Sequence, residues 1–461
     1  MDLMTRAVEQ LRRKDIAYAD IRNEIRFATQ LHVVNGGLRT FTRNNYSGTV
    51  ARVLVGECWG QASTTKPLTA RTLAEITDSA TRAAMASSKF SRRAIDLSHV
   101  KPSTGTFHQD VQENPRNVSD EEKLDLVMRL DRAQKVDERV VNTNSVYLDN
   151  QRSFMLVNTA GSALEWDEVR TYFFTQPVAR EGSRVEFDFG IRSGTAGFEL
   201  VRKADPESVA SEAAKSAVNL LSAGKPPSGE LTVVMDGTVS GTIAHEVCGH
   251  ASEADEVVKK RSFLTGMTGV KMAAEAVTLV DDGSRLGLIG SIPFDSEGTP
   301  SSKTLIIEGG VYRGYLHTLE TSSLMGVKPT GNGRAQDFNR RIFARMTNTF
   351  FDTGDWKDKE MIEDTRDGLY VCTATSGMED VVGGGVQVST QKAYLLKNGE
   401  VKDLVRGVAL TGKVLEILKT VDAVSDTLRF DGGTCGKGEE DFVPVSTGGP
   451  HMRARIIVGG A

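Results

Sequence analysis

The sequence predicts an α+β protein in two parts. An N-terminal α/β domain spans residues 1–224, and a largely antiparallel β domain with one chemically distinctive helix spans 225–461. Three observations carry this expectation. The first half runs twice through one order: helix, three extended segments, helix. "SAGKPPSG" at 222–229 then interrupts the pattern with prolines flanked by glycines. Beyond it, alternating apolar runs separated by glycine turns dominate, as antiparallel strands require. The length of 461 residues fits such a division, because one hydrophobic core rarely grows past about 250–300 residues.

The chain opens on an amphipathic helix, with Leu3, Ala7 and Leu11 on one face. It carries Asp2 and has no apolar h-region, so it reads as a helix rather than a secretory signal. Extended segments follow at 19–35, 37–56 and 58–64, before a turn at Pro67. A helix starts near Leu68 with Thr69 as its candidate cap. This first unit covers about 1–90. The polar, proline-containing stretch 98–118 reads as a linker loop. The second unit, 118–222, opens on a Ser-x-x-Glu capping box, Ser119 with Glu122. Its extended segments are 139–159, 163–182 and 184–194, and its last helix has Asp205 as cap and Pro206 in the first turn. After the boundary, the apolar strand "ELTVVMD" leads into "GTIAHEVCGH" at 241–250. "KNGE" at 397–400 predicts an Asn-Gly hairpin turn, and a helix is expected near 411–420.

Composition narrows the function classes. With 56 basic and 61 acidic residues the net charge is −5, and no Lys/Arg stretch is dense enough for nucleic acid. "LRRK" at 11–14 and "SRR" at 91–93 read as solvated faces. No run of 18 apolar residues exists, so no membrane span is expected. Cys58, Cys248, Cys372 and Cys435 are too scattered for a disulfide framework, which points to a reducing cytoplasm.

The chemistry lies in "HEVCGH". Zinc peptidases commonly place two histidines four apart, as H-E-x-x-H. Here His245 and His250 are five apart. Successive helix residues turn by about 100°, so side chains four apart diverge by about 40° and side chains five apart by about 140°. A regular helix therefore cannot aim both rings at one ion. A π-bulge, or a helix that ends or kinks at Gly249, would restore convergence, and one of these is expected at 247–250. Two imidazoles would then hold the ion, and Glu246 would accept a proton from a metal-bound water whose pKa falls to about 7. The resulting hydroxide would attack a peptide carbonyl polarised by the metal.

A catalytic zinc usually takes a third protein ligand. The candidates are Glu253, Asp255, Glu297, His317, Cys248, Cys372 and Cys435. Cys248 reads as a small buried hydrophobe. Cys435, in "FDGGTCGKGEED", is crowded by glycines that permit close approach, as on a loop brought in from a distance. Glu253 and Asp255 could orient the ligating rings. His317 reads equally as a hydrogen-bonded sheet residue or a substrate contact, and Arg334 as part of a loop near the cavity.

Six segments resemble the TldD/PmbA metallopeptidases, and specifically their metal-binding TldD-type members. They are "HEVCGHASEAD" from His245, "FDSEGTPS" from 294, "PTGNGRA" from 329, "RMTNTFF" from 345, "KAYLLKNGEV" from 392 and "GTCGKGEEDFVPVSTGGP" from 433. The five-residue spacing is that family's own signature. The resemblance implies that Cys435 completes a site for one zinc ion per chain. It also implies a peptidase for unfolded or extended peptides, bound by strand addition. Family roles include maturing ribosomally made peptide precursors and degrading antitoxin-like proteins. The implied assembly is a dimer enclosing a cavity: a homodimer, or a heterodimer with a metal-free TldE/PmbA-like subunit. The alternative is a non-catalytic peptide-binding subunit of such a complex, against which the intact ligand set argues. A peptidase of the dipeptidyl peptidase III type shares the spacing but needs a downstream helical Glu, and no such helix is evident. "GKGEED" is more acidic than the family's usual wording, which bears on substrate preference.

Overall fold

The computed structural model describes residues 1–89 and 95–460. "SRR" at 91–93 lies outside them. The first unit has the expected order: α1 (Asp2–Glu9), β1 (Tyr18–Val34), β2 (Gly37–Val55), β3 (Cys58–Thr64) and α2 (Ala70–Ser88). Asn35 and Gly36 turn β1 into β2 with φ of 51° and 75°, the left-handed pair that a tight hairpin needs. Thr69 caps α2 as expected, its Oγ1 accepting the Thr72 N–H at 3.2 Å.

The stretch 98–118 is not all loop. Thr104–Phe107 forms β4. The second unit then comprises α3 (Asp120–Ala133), β5 (Val140–Asn142), β6 (Asn144–Asn158), β7 (Ala163–Thr175), β8 (Val178–Glu181), β9 (Arg184–Phe187), β10 (Gly190–Gly194), α4 (Glu199–Lys203) and α5 (Pro206–Leu220). β4 adds in parallel to β7, whose edge would otherwise be left without partners. Each expected extended segment of this unit breaks in two. Pro177, which has no N–H to give a ladder, separates β7 from β8, and β5, β8 and β9 form a small sheet of their own. The Ser119–Glu122 box is half made: Ser119 Oγ accepts the Glu122 N–H, but the Glu122 carboxylate pairs with Arg202 at 2.6 Å.

Both units share one sheet, in the order β10-β7-β6-β1-β2-β3. β1 is its spine, pairing along its length with β2 on one side and β6 on the other. Its alternation decides what each face does. Ala19, Ile21, Leu31 and Val33 are buried under the helices, α1 and α2 at one end and α3 and α5 at the other. Asp20, Arg22 and Glu24 point the other way, toward the C-terminal part of the chain. That face is a buried charged seam. Arg52 bridges Asp20 and Glu297 at 2.5 and 3.1 Å, Arg152 meets Glu24 at 2.9 Å, and Arg22 donates to the Ser296 carbonyl at 2.8 Å. Arg170 donates to the carbonyls of Ile289 and Ser291.

The C-terminal part begins with β11 (Gly229–Met235) and α6 (Gly237–Ile243), then α7 (Ala254–Val258), β12 (Leu279–Asp282), β13 (Lys303–Glu308), β14 (Val311–Tyr312), α8 (Leu319–Met325), β15 (Gly333–Arg334), β16 (Phe343–Ala344), β17 (Asn348–Phe351) and α9 (Asp358–Asp364). It continues with β18 (Asp367–Asp380), β19 (Gly385–Lys397), β20 (Glu400–Lys413), α10 (Val414–Lys419), β21 (Ala423–Val424), β22 (Arg429–Lys437), β23 (Glu440–Gly449) and β24 (Met452–Gly460). The Asn398–Gly399 turn joins β19 to β20 as expected, with φ of 54° and 76°. The helix expected from 411 starts at Val414, because β20 runs on to Lys413.

β11, β18, β19, β20 and β24 pair in sequence, and β24 pairs back to β11, so the strands close into a ring. A second sheet runs β14-β13-β12-β17-β23-β22. Pairing is antiparallel except for β11 with β18 and β17 with β23. α6 is wedged between ring and second sheet. Thr238 Oγ1 accepts the Ala374 N–H of β18 at 3.2 Å, and a Cβ on Gly241 would lie 2.7 Å from the Gly448 backbone nitrogen of β23.

With backbone on the far side of that contact, Gly241→Ala has nowhere to relax. It is expected to cost about 1–3 kcal/mol of stability in chemical denaturation, against about 0.5 kcal/mol for the less buried Thr242→Ala on the same helix.

Candidate metal centre

α6 is started by Asp236, whose Oδ1 accepts the N–H groups of Thr238 and Val239 at 3.0 and 2.9 Å. After Ile243 the helix widens. Residues Ala244–Gly249 form a π turn, in which the His250 N–H donates to the His245 carbonyl five residues back. The extra residue is absorbed in one turn, and His250 comes round beside His245. Their ring centroids are 4.9 Å apart, with the planes at 81°. The expected bulge is therefore present, but it begins at Ala244 rather than at 247. The chain then tightens to a 3₁₀ turn at His250–Ser252.

Gly249 serves a different end from the one its sequence position suggests. Its φ of −60° is ordinary helical geometry, so it neither ends nor kinks the helix. A Cβ there would lie 2.1 Å from Met346 Sδ, so a larger residue would have to displace that side chain.

Cys435 arrives on a strand, not a loop. It lies on β22, opposite Val443 of β23. Its Sγ is 3.2 Å from His250 Nε2. The ligand atoms of His245, His250 and Cys435 all lie within 4.8 Å of one another. Burial alone would raise the Cys435 thiol, but hydrogen bonds from the two imidazoles bring it down to about 5. Cys248 and Cys372 have no such neighbours, and burial pushes each up to about 12. Glu297 is committed to Arg52 and to the Leu319 N–H. Of the third-ligand candidates, Cys435 is the one that joins both histidines among the described residues.

Glu253 and Asp255 gather behind His250. Glu253 Oε2 is 3.4 Å from His250 Nδ1 and 2.9 Å from Lys437 Nζ, and Asp255 Oδ1 is 2.6 Å from the same ammonium. His317 and Arg334 are not brought to the cluster. His317 is buried, hydrogen-bonded to Thr321 Oγ1 at 3.2 Å, and desolvation lowers its pKa to about 4. Arg334 is buried on β15, donating to the carbonyls of Met346 and Pro444, where it ties the segment before β17 to β23. Glu440 of "GKGEED" is also internal, paired with fully buried Arg345 at 2.9 Å.

Two acidic and basic neighbours escaped the sequence reading. Glu379, near the end of β18, has a carboxylate oxygen within 4.8 Å of the Glu246 carboxylate and the His250 ring. Gly377, on the same face of β18, leaves the room that Glu246 fills: a Cβ would lie 2.3 Å from Glu246 Cγ. Lys437 is two residues past Cys435, so strand alternation was the one signal that could have placed it there. Burial, with the Glu379 carboxyl alongside, raises Glu246 to about 7.

The donor set suits a divalent ion. Two imidazoles and a low-pKa thiolate are ordinary zinc ligands. His245 Nδ1 is buried with no hydrogen-bond partner, an orphan that a polar ligand or an ion would satisfy.

Comparison with known proteins gives the class, a metallopeptidase. The family model for the PmbA/TldA metallopeptidase central domain matches residues 113–221, and that for the C-terminal domain matches 228–460. The chain is 34% identical to a metalloprotease of Methanothermobacter thermautotrophicus over 96% of each chain. It is 28% identical to a metalloprotease TldD homolog of Buchnera aphidicola, over 98% of this chain and 95% of that one. TldE from Thermococcus kodakarensis shares the fold, with a TM-score of 0.77 at 19% identity over all of both chains. The chain belongs to the PmbA/TldD metallopeptidase family. Among the described residues, no helix is long and apolar enough to cross a membrane.

The thiol geometry sets a reactivity order. In metal-free protein at pH 6, above the Cys435 value of about 5, a small alkylating reagent is expected to modify Cys435 at least about tenfold faster than Cys248 or Cys372. Peptide mapping by mass spectrometry reads the order, and bound metal should abolish the Cys435 reaction.

Proposed function

We propose that this chain is a zinc-dependent peptidase for unfolded or extended peptides, with His245, His250 and Cys435 holding one zinc ion and Glu246 as general base. The observation that carries the reading is the convergence of those three side chains, 185 residues apart in the chain for His250 and Cys435, next to a carboxylate. Zinc at such a site polarises a peptide carbonyl and lowers the pKa of water to about 7. Glu246 takes up the proton at its carboxylate and later gives it to the departing amine. A value of about 7 suits a group that must accept and return a proton near neutrality.

β18 supports the substrate class. Its first part is paired on both sides, but β11 leaves it after Val371, while β19 stays with it to Asp380. Among the described residues, the stretch 375–380 therefore has one edge without a strand partner, and it runs past Glu246. A bulge begins here: Thr373 adopts φ of 60°, unusual for a β-branched residue, and its N–H bonds to Asp236 Oδ2 at 3.3 Å. An extended peptide added to this edge would be held by its backbone and read little by its side chains.

The assembly reading is a dimer, either of two copies or with a metal-free TldE/PmbA-like subunit. TldE from Thermococcus kodakarensis, which shares the fold, is the kind of subunit the second form would take. Four free cysteines fit a reducing cytoplasm.

Metal content and cleavage of an unfolded peptide test the roles. Glu246→Gln is expected to keep its zinc and lose about 10²–10⁴-fold in rate. Cleavage at the wild-type rate would end the general-base assignment. Cys435→Ser is expected to lose zinc, and full retention would move the third ligand elsewhere.

A further inference from the structure

We infer that Lys437 is a positioning residue for the metal centre: through Glu253 it fixes His250, and through its own strand it locks that histidine to Cys435. The inference rests on the ligand set proposed above. Lys437 and Cys435 are alternate residues of β22, with the register slipping at Gly436 between them. One strand thus delivers the thiol to one side of His250 and a cation to the other.

The ammonium is fully engaged. Its three N–H bonds have three acceptors: Glu253 Oε2 at 2.9 Å, Asp255 Oδ1 at 2.6 Å and the Ala344 carbonyl at 3.2 Å. A solvated surface lysine does not satisfy all three donors on protein. Glu253 is 1% exposed, so an unpaired carboxylate there would be costly. Held by Lys437, it keeps its other contact with His250 Nδ1 at 3.4 Å, and Nε2 is left facing Cys435 Sγ. A carboxylate on the far ring nitrogen of a ligating histidine fixes its tautomer and orientation. Arg345 braces the arrangement from a third segment. Its Nη2 donates to the Cys435 carbonyl at 2.7 Å, and its Nε lies 3.7 Å from Glu253 Oε1. His250 and Cys435 are therefore held by one connected set of charges spanning three chain segments.

The test measures zinc affinity of the full chain by chelator competition, together with the absorption spectrum of the cobalt(II)-loaded protein. Lys437→Met is expected to bind zinc about 10–100-fold more weakly and to shift the cobalt d–d bands, while the thiolate charge-transfer band persists because Cys435 is intact. Glu253→Gln should weaken binding by a similar factor. The double variant should bind no more weakly than Glu253→Gln alone, because both changes act through one carboxylate. If metal-free Lys437→Met fails to fold by circular dichroism, Lys437→Met/Asp255→Asn removes one buried anion with the cation and should show the same loss. Binding by a folded Lys437 variant within about threefold of wild type, with Cys435→Ser losing zinc, would overturn the inference and leave the ligand set standing. Losses that multiply in the double variant would equally overturn it. Retention of zinc by both Cys435→Ser and Lys437→Met would sink the ligand set itself, and the inference with it.

Discussion

Two histidines five residues apart cannot face one point from a regular helix, and here the helix that carries them holds an extra residue in its turn. Much of the C-terminal architecture answers that demand. A π turn is a poor local structure and persists where packing on every side determines it. Here Ala244 and Cys248 are sunk in the main core, and Gly249 lies directly against the Met346 side chain. One turn earlier, Gly241 meets Gly448 backbone to backbone, and Asp236 both caps the helix and holds the bulge of β18. Helix, ring and second sheet therefore meet at the segment that presents His245 and His250.

Buried charge is the second organising feature. The N-terminal sheet is mostly apolar under its helices, while its other face combines ion pairs with apolar clusters around Tyr18 and around Phe154 and Trp166, and is covered by the C-terminal part of the chain. Each arginine of the seam has a carboxylate or backbone carbonyl to receive it. Such pairs add little net stability over apolar packing, but breaking one strands a buried ion. They specify how the two parts meet more than how tightly. The same logic recurs behind His250, where Glu253, Asp255, Lys437, Arg345 and Glu440 balance one another.

The two sides of the metal cluster differ in kind. Behind it, every charge is paired, and Glu253, Arg345 and Glu440 are buried. In front, Glu246 and Glu379 stand beside each other on the side bordered by the unpartnered edge of β18, with no Lys or Arg bridging either among the described residues. The rigid side is suited to fixing ligands, and the open side to a group that changes its protonation during a reaction.

Local chemistry was legible in the sequence. Thr69, Asp205 and the Asn398–Gly399 turn act where their neighbours within a few residues said they would, because caps and tight turns are made of short-range hydrogen bonds. The helical arithmetic at His245 and His250 also required that the helix bulge or break between them, whatever surrounded it. Long-range placement was not legible. Nothing near Thr104 announces that it joins β7, and the breaks in the second unit follow from a three-stranded sheet assembled from segments between 140 and 187. Gly249 looked like a helix terminator, yet its reason is a sulfur atom 97 positions on. Glu379 carries no motif, and only strand alternation after Cys435 hints at Lys437; the tertiary structure brings them beside Glu246 and Glu253. The sequence by itself determined the local elements and the need for the helix to bulge or break between the histidines, since backbone geometry decides both. Only the tertiary structure decided which strand meets that turn, because that depends on two sheets closing around one helix.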